Sequence, residues 1–293
     1  MARWRETAAK MQPDSEAGLV CPAPAKLNLF LHVVGRRTDG YHELQTLFRF
    51  VDHGDTLSLR ARADGRIERV GEVPGVPPEQ DLTLRAAALL QQSSGTRLGV
   101  NIELDKRLPL GGGLGGGSSD AATALIGLNR LWGLGWTRSR LQALAVHLGA
   151  DVPVFVFGRS AFAEGIGDEL VAVELPSAWY VVLVPQVVVS TAAVFSDPEL
   201  TRDSAPLKIS RFSAGAGRND LEAVTCRRHP AVAGHLAWLR QHAAAAMTGS
   251  GACVFAAFDS QAAALDVFGR RPQGMQGFVA RGLDRHPLWG WLE

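Results

Sequence analysis

Residues Pro109 to Asp120 read Pro-Leu-Gly-Gly-Gly-Leu-Gly-Gly-Gly-Ser-Ser-Asp, with glycine at six of the seven positions from Gly111 to Gly117. Glycine forfeits more backbone entropy on ordering than any other residue, so the run must do something that side chains would obstruct. Bare backbone N–H groups can close around a phosphate, and a helix opening directly afterwards adds the positive end of its dipole. The hydroxyls of Ser118 and Ser119 could then reach phosphate oxygens or a magnesium ion. Two familiar phosphate motifs fail on inspection. Gly112-x-x-x-x-Gly117-Ser118-Ser119 has a serine where a Walker A loop needs its lysine. Gly111-x-Gly113-x-x-Gly116 is almost automatic in such a run, and Trp136-Thr137-Arg138 stands where a dinucleotide site needs an acid about 20 residues on. A merely flexible linker fits poorly too. The run leads straight into Ala121, Ala122, Leu125, Leu128 and Trp132 at helical spacing.

Two charged residues lie where charge is costly. Lys26 begins an apolar alternating segment beside Asn28, and a lysine in a half-buried strand needs a partner or a ligand. Asp151 is a lone acid between Gly149-Ala150 and the apolar Val152-Pro153-Val154-Phe155. Taken singly, each reads equally well as a solvated strand end or a helix-terminal polar residue. Taken together they suit phosphoryl transfer. The acceptor hydroxyl must be held in line and lose its proton, and a carboxylate can take it. A neighbouring ammonium keeps that carboxylate ionised and stabilises charge on the group in transit.

The elements that must position these groups follow from pattern. Ala25 to Val34 alternates as a strand, and Asp39-Gly40 marks a turn. Leu44 to Phe50 and Thr56 to Arg60 read as two strands split at Gly54-Asp55, and 71–80 as a Pro/Gly loop. Leu82 to Gln92 reads as a helix closed by Gly95, then Val100 to Leu104 as a strand. After the glycine run come a helix, a second helix over Arg138 to Leu148, and Val152 to Phe157 as a short apolar strand. Trp179 to Val184 is a strand, followed by a polar linker with Pro198, Pro206 and Gly215. Helices at Asp220 to Thr225, Ala231 to Ala244 and 260–269 alternate with strands at Cys253 to Phe258 and Phe278 to Ala280. The pattern predicts an α+β protein of two lobes that meet near residue 170.

Composition narrows the partners. Thirty Lys and Arg against 29 Asp and Glu give a net charge of +1, which offers no reason to expect nucleic acid or a membrane surface. No apolar run approaches the ~18 residues of a membrane helix. Three scattered cysteines, Cys21, Cys226 and Cys253, make neither a disulfide framework nor a zinc site, which suits a reducing cytoplasm. The first 18 residues are polar, hold Glu6, Asp14 and Glu16, and read as a disordered or loosely attached extension rather than a targeting signal.

Five segments, in this order, resemble the GHMP kinase superfamily: Pro24-Ala25-Lys26-Leu27-Asn28-Leu29, Asp39-Gly40-Tyr41-His42, the Pro109 to Asp120 loop, Leu148-Gly149-Ala150-Asp151-Val152-Pro153, and Thr248-Gly249-Ser250-Gly251-Ala252-Cys253. The resemblance implies an N-terminal ATP-binding lobe like ribosomal protein S5 domain 2 over 19–172 and a ferredoxin-like α/β sandwich lobe over 173–293. It implies ATP and magnesium, and Asp151 as general base with Lys26 as its electrostatic partner. Leu110, Gly111, Gly112, Gly113, Leu114, Gly115, Gly116, Gly117, Ser118 and Ser119 would cradle the triphosphate, with Lys106 and Leu82 near the adenosine. The Asp39-Gly40-Tyr41-His42 segment points within the superfamily to a cytidine diphosphate-linked polyol, phosphorylated on the 2-hydroxyl of its methylerythritol. There Tyr41 and Phe195 would sandwich the cytosine, His42 would hydrogen-bond its edge, Asn28 would meet the methylerythritol end, and Thr248 and Gly249 would line the site. Phe195 also reads as a core residue, and Tyr41-His42 as ordinary turn residues. Asp81-Leu82 stands where the family more often has Asn-Leu, a departure on the adenine side. The implied protein is cytoplasmic, a monomer or weak homodimer. Another GHMP kinase, of homoserine or mevalonate type, and a non-catalytic nucleotide-binding protein are the competing readings.

Overall fold

The computed structural model describes residues 18–38, 40–207 and 217–293. Residues 1–17 of the expected extension, Asp39 of the turn and Gly215 of the linker lie outside these. In chain order the elements are β1 (Leu19–Arg36), β2 (His42–Arg62), β3 (Ile67–Val70), α1 (Leu82–Ser94), β4 (Gly99–Asp105), α2 (Gly116–Leu131), α3 (Arg138–Ala145), α4 (Val152–Phe157), β5 (Ala161–Glu164), β6 (Glu169–Ala172), β7 (Trp179–Val184), α5 (Thr191–Phe195), α6 (Glu222–Arg228), α7 (Pro230–Arg240), β8 (Ala245–Met247), β9 (Val254–Phe258), α8 (Gln261–Gly269) and β10 (Gln276–Leu283).

The spine is β2. It pairs antiparallel with β1 along most of its length, with β4 from Thr56 to Arg62, with β5 from Thr46 to Phe48, and with β10 at Phe50 and Val51. The path β3-β4-β2-β10-β7-β9-β8 therefore runs through both halves, and the last strand is the seam. The two strands expected at Leu44–Phe50 and Thr56–Arg60 are one strand of 21 residues. Gly54-Asp55 is not a turn but lies within it, beside a register shift in the pairing with β1. A Cβ on Gly54 would lie 2.0 Å from the Ala23 carbonyl oxygen, so only glycine lets β1 approach there. Asp55 turns its carboxylate inward, fully buried, and accepts the N–H groups of Arg107 at 2.6 Å and Leu108 at 2.8 Å. The acid thus anchors the residues that lead from β4 into the glycine run.

The expected strand Val152–Phe157 is instead a helix, α4. All but its last residue are buried between α2 and α3, and a run apolar on every side carries no period to separate helix from strand. Pro153, two residues into the helix, and Gly158, left-handed just past its end, are the local signals that favour a helix. Strands β3, β5 and β6 and helix α5, each four or five residues long, carried no pattern in the sequence. Four apolar clusters hold the molecule among the described residues, the smallest being Phe30, Leu47 and Phe162. One packs α1, α2 and α4 on β1, β2 and β4 through Leu57, Leu90, Leu125 and Phe155. A second gathers Val181, Leu236, Leu239 and Val254 in the C-terminal half. A third fills the joint with Ala25, Leu27, Leu108, Leu114, Val182 and Cys253.

After β10 the chain returns to the N-terminal half. His286 N–H donates to the Gly158 carbonyl at 2.8 Å, and the Arg138 guanidinium stacks 3.7 Å over the Trp289 ring. The His286 imidazole is buried, with Nδ1 accepting from Leu288 N–H at 3.1 Å. Burial, then the nearby Arg138 charge, pushes its pKa down from 6.5 to about 3. On acidification the unfolded chain therefore takes up this proton first. The histidine's contribution is complete above pH 6.5 and declines towards pH 3, by about 1.4 kcal/mol per pH unit. Urea titrations at pH 7 and pH 5 should show the native chain losing about 2 kcal/mol more than His286→Gln over that interval. Equal losses would show that His286 charges as easily folded as unfolded.

Candidate active site

Lys26 and Asn28 project from the same face of β1, opposite Phe50 and Phe48 of β2. Lys26 is only 2% exposed. Its ammonium donates to Asn28 Oδ1 at 2.5 Å, lies 3.3 Å from Asp151 Oδ2, and sits 5.4 Å over the Phe48 ring. Asn28 is oriented in turn, its Nδ2 donating to Thr46 Oγ1 at 2.8 Å. Asp151 is the residue just before α4, and its side chain keeps 36% of its exposure. The two residues singled out for proton transfer, 125 positions apart in the chain, thus form one ion pair with a buried cation and a solvent-facing acid. Asn28, expected against the substrate, uses both ends of its amide inside the protein, where it aims Lys26.

The glycine run packs against the lysine of this pair. Gly111, Gly113 and Gly115 all have positive φ, the last at 71° as the residue preceding α2, which begins at Gly116. A Cβ on Gly115 would press on Phe155 at 3.0 Å and Lys26 at 3.1 Å. Leu114 carbonyl accepts the Lys26 backbone N–H at 3.0 Å, tying the loop to β1. Gly113 touches the second glycine loop so closely that a Cβ would meet the Thr248 carbonyl oxygen at 2.2 Å. Thr248 is fully buried. Its hydroxyl accepts Asn28 N–H at 2.9 Å and donates to Gly113 carbonyl at 3.2 Å, so it rivets the joint and does not face solvent. Gly249 lies beside it, with a would-be Cβ 3.2 Å from the Gly113 carbonyl oxygen. Asn219, which the sequence did not flag, holds that loop by donating to Met247 and Gly249 carbonyls at 2.8 and 2.7 Å.

Of the two serines, Ser119 is fully buried and its hydroxyl donates to Pro24 carbonyl at 2.7 Å, whereas Ser118 is half-buried on the opening turn of α2. No group of three or more His, Cys, Asp or Glu side chains gathers into a metal cluster among the described residues. Magnesium usually binds through one or two protein oxygens plus substrate phosphates. The Ser118 hydroxyl is open to such a role, and that of Ser119, spent on Pro24, is not. Lys106 is not free to point at a nucleotide. Its ammonium lies 2.5 Å from Asp55 Oδ2 and 2.8 Å from Asp120 Oδ2, directly behind Gly116. Burial, then the like charge of Asp55, holds the Asp120 carboxyl well above the carboxylate range against the pull of Lys106. Burial alone would lower Lys106, but the two acids outweigh it and raise it. Leu82, first residue of α1, packs 3.7 Å from the position of a Gly117 Cβ. Asp81 is spent on structure. It caps α1 by accepting Thr83 N–H at 2.8 Å and pairs with Arg69 at 2.9 Å, which accounts for an acid where the family favours asparagine.

A second cluster assembles from both halves. The His42 and Phe195 rings stand 5.0 Å apart at 32°, and Phe195 is half-buried at the end of α5, not sealed in the core. Tyr41 is 62% exposed beside them. Arg202, unmarked in the sequence, donates through Nε to His42 Nε2 at 3.2 Å. Burial, then the charges of Arg202 and Arg36, lowers the His42 pKa. Helix α5 is tied back to the second glycine loop by Thr191 and Ser250, whose hydroxyls lie 2.7 Å apart.

Comparison with known proteins agrees with this geometry. Residues 81–159 match the family described as GHMP kinases N terminal domain, and 205–271 that described as GHMP kinases C terminal. The chain is 62% identical over 283 residues to the 4-diphosphocytidyl-2-C-methyl-D-erythritol kinase of Nitrosospira multiformis, covering 96% of each chain. It is 63% identical over 271 residues to that of Thiobacillus denitrificans, covering 92% of this chain and 98% of the relative. A crystal structure of 4-(cytidine 5'-diphospho)-2C-methyl-D-erythritol kinase superposes with a TM-score of 0.79 at 34% identity, over 90% of this chain and 99% of that one. With its two-lobed fold and these relatives, the chain belongs to the GHMP kinases, within the 4-diphosphocytidyl-2-C-methyl-D-erythritol kinase family.

Proposed function

We infer that this chain transfers the γ-phosphoryl group of ATP to the 2-hydroxyl of 4-diphosphocytidyl-2-C-methyl-D-erythritol, giving the 2-phosphate and ADP, within the methylerythritol phosphate route to isoprenoid precursors. The observation that carries this reading is the 3.3 Å pair of Lys26 and Asp151 behind a glycine collar, in a chain whose close relatives are named for that substrate. The acceptor hydroxyl approaches Asp151, whose carboxylate takes its proton as oxygen attacks the γ-phosphorus. The bond from that phosphorus to the β-bridging oxygen breaks, and ADP leaves. Lys26 holds Asp151 in place before the step and meets the charge on the moving phosphoryl group during it. The collar amides and the opening of α2 hold the phosphates where a P-loop would use a lysine. Magnesium, entering with the nucleotide, would neutralise charge on the β- and γ-phosphates. Tyr41, His42 and Phe195 would grip the cytosine, since a stacking aromatic contributes roughly 1–3 kcal/mol per base.

The lobes assigned to this activity are 19–172 and 173–293, and the working compartment is the cytoplasm, with the chain as a monomer or weak homodimer. A homoserine or mevalonate kinase has no use for the His42–Phe195 cluster, and a non-catalytic nucleotide binder has none for the Lys26–Asp151 pair. In an assay of ATP consumption, the cytidylylated polyol should be turned over while mevalonate and homoserine are not; the reverse preference would end the assignment. Asp151→Asn should keep its affinity for a non-hydrolysable ATP analogue while kcat falls ~10²–10⁴-fold, the usual cost of removing a general base. An unchanged kcat would take Asp151 out of the mechanism. Gly113→Ala places a methyl against the Thr248 carbonyl at a positive φ of 75°, where an L side chain is strained by roughly 1–2 kcal/mol before the clash is counted. It should raise KM for both substrates together, because it spreads the two loops that form the collar. A rise for ATP alone would mean that the second loop is not coupled to the first.

A further inference from the structure

We propose that Arg202 is a positioning residue that locks His42 in one tautomer and so makes the site choose cytosine over uracil. This rests on the reading of His42 and Phe195 as the base site. The guanidinium has five N–H donors and no acceptor. Its Nε–H points at His42 Nε2 from 3.2 Å, so that nitrogen must carry the lone pair, and the ring proton is held on Nδ1. Protonation of Nε2 would set donor against donor beside a permanent cation. The charged groups acting on the ring are Arg202 and Arg36, both positive, and both resist an imidazolium.

The consequence is chemical. A ring that offers N–H at Nδ1 can donate to N3 of cytosine, which is an acceptor. In uracil N3 carries a hydrogen, and the same contact becomes donor against donor. The opposite tautomer would reverse the preference. A site built to hydrogen-bond one group rejects the analogue that cannot reciprocate far more strongly than a merely apolar pocket does. The same guanidinium also fixes the other wall. Nη2 donates to the carbonyls of Phe195 and Asp197 at 2.9 and 2.8 Å, and Nη1 to that of Leu200 at 3.1 Å. One side chain thus holds the end of α5 in register with His42, and histidine and phenylalanine come from opposite halves of the molecule.

The test separates these two effects. CDP and UDP binding would be measured by calorimetry on the full chain, on Arg202→Met, which removes every donor, and on Arg202→Lys, which keeps a cation with donors only. A non-hydrolysable ATP analogue would serve as the control for folding. The native chain should prefer CDP by about tenfold or more. Arg202→Met should lose that preference, and Arg202→Lys should keep it with both affinities reduced. In all three the ATP analogue should bind alike. Nitrogen-15 spectra of histidine-labelled chain, with His42 assigned by His42→Gln, should show the Nδ1-protonated neutral form in the native protein and a mixture in Arg202→Met. Native base preference in Arg202→Met, or a proton on Nε2 of native His42, overturns the proposal. Failure of the native chain to bind either nucleotide, with the tautomer signature in place, overturns the base-site reading and the specificity argued from it.

Discussion

The arrangement depends on one buried ammonium. Lys26 is 2% exposed on a strand whose neighbours are Leu27 and Phe50, both fully buried. A lone charge in such surroundings is costly enough that it must be paired and hydrogen-bonded or lose its proton. Asn28 supplies an oxygen from two residues along the strand, and Asp151 supplies the opposite charge from the start of α4. The buried cation and the start of α4 are thereby joined, and the acid stands beside the lysine. The acid is the more exposed partner, and this asymmetry is useful. The lysine is fixed and dry, while the carboxylate can meet a substrate without leaving its partner.

The glycine collar answers a different constraint, the approach of backbone to backbone. Gly113 and Thr248 belong to separate halves, and their main chains come too close for any side chain between them. Thr248 turns this proximity into order through two hydrogen bonds, one to β1 and one to the collar. Behind the collar, Asp55 holds the N–H groups of Arg107 and Leu108, while Lys106 lies between Asp55 and Asp120. An ammonium with one carboxylate is a neutral pair. The second acid, Asp120, has its carboxyl pushed up by burial and by the like charge of Asp55. In front of this cluster, the collar amides and the opening of α2 are the groups that would attract an anion.

Much of this was legible in the sequence because the relevant signals are local. The collar is a compositional anomaly, Gly95 ends α1 where a left-handed residue is needed, and the alternation around Lys26 marks β1. Other signals were ambiguous in physical terms. Val152 to Phe157 is apolar on all sides, so its period is invisible and only Pro153 and Gly158 hinted at a helix. Gly54-Asp55 has the composition of a turn, and only tertiary contacts, the close approach of β1 to Gly54 and the buried anchor of Asp55, keep it within the strand. Lys106 was expected beside the nucleotide, Asn28 and Thr248 against the substrate. The structure turns their polar atoms inward because each has a partner distant in sequence. Arg202 and Asn219 carried no signal at all, since an arginine or asparagine in a polar segment is ordinary until its carbonyl partners are known.

The chemistry and the recognition are built differently, and the difference has a physical reason. The proposed proton-transfer pair lies wholly within the N-terminal half, on β1 and at the start of α4, where packing is continuous and a shift of an ångström would be costly. The base cluster spans both halves. His42 begins β2, Phe195 ends a five-residue helix, and a single guanidinium joins them. A helix that short has little stability of its own. Its position is therefore set by what clamps its ends: Arg202 on the carbonyl side, and the Thr191–Ser250 contact on the other. Because Ser250 sits in the second glycine loop, which touches the collar, the wall of the base site and the phosphate site share one piece of backbone. That piece lies in the joint between the lobes, where Thr248 is fully buried and main chain meets main chain at Gly113.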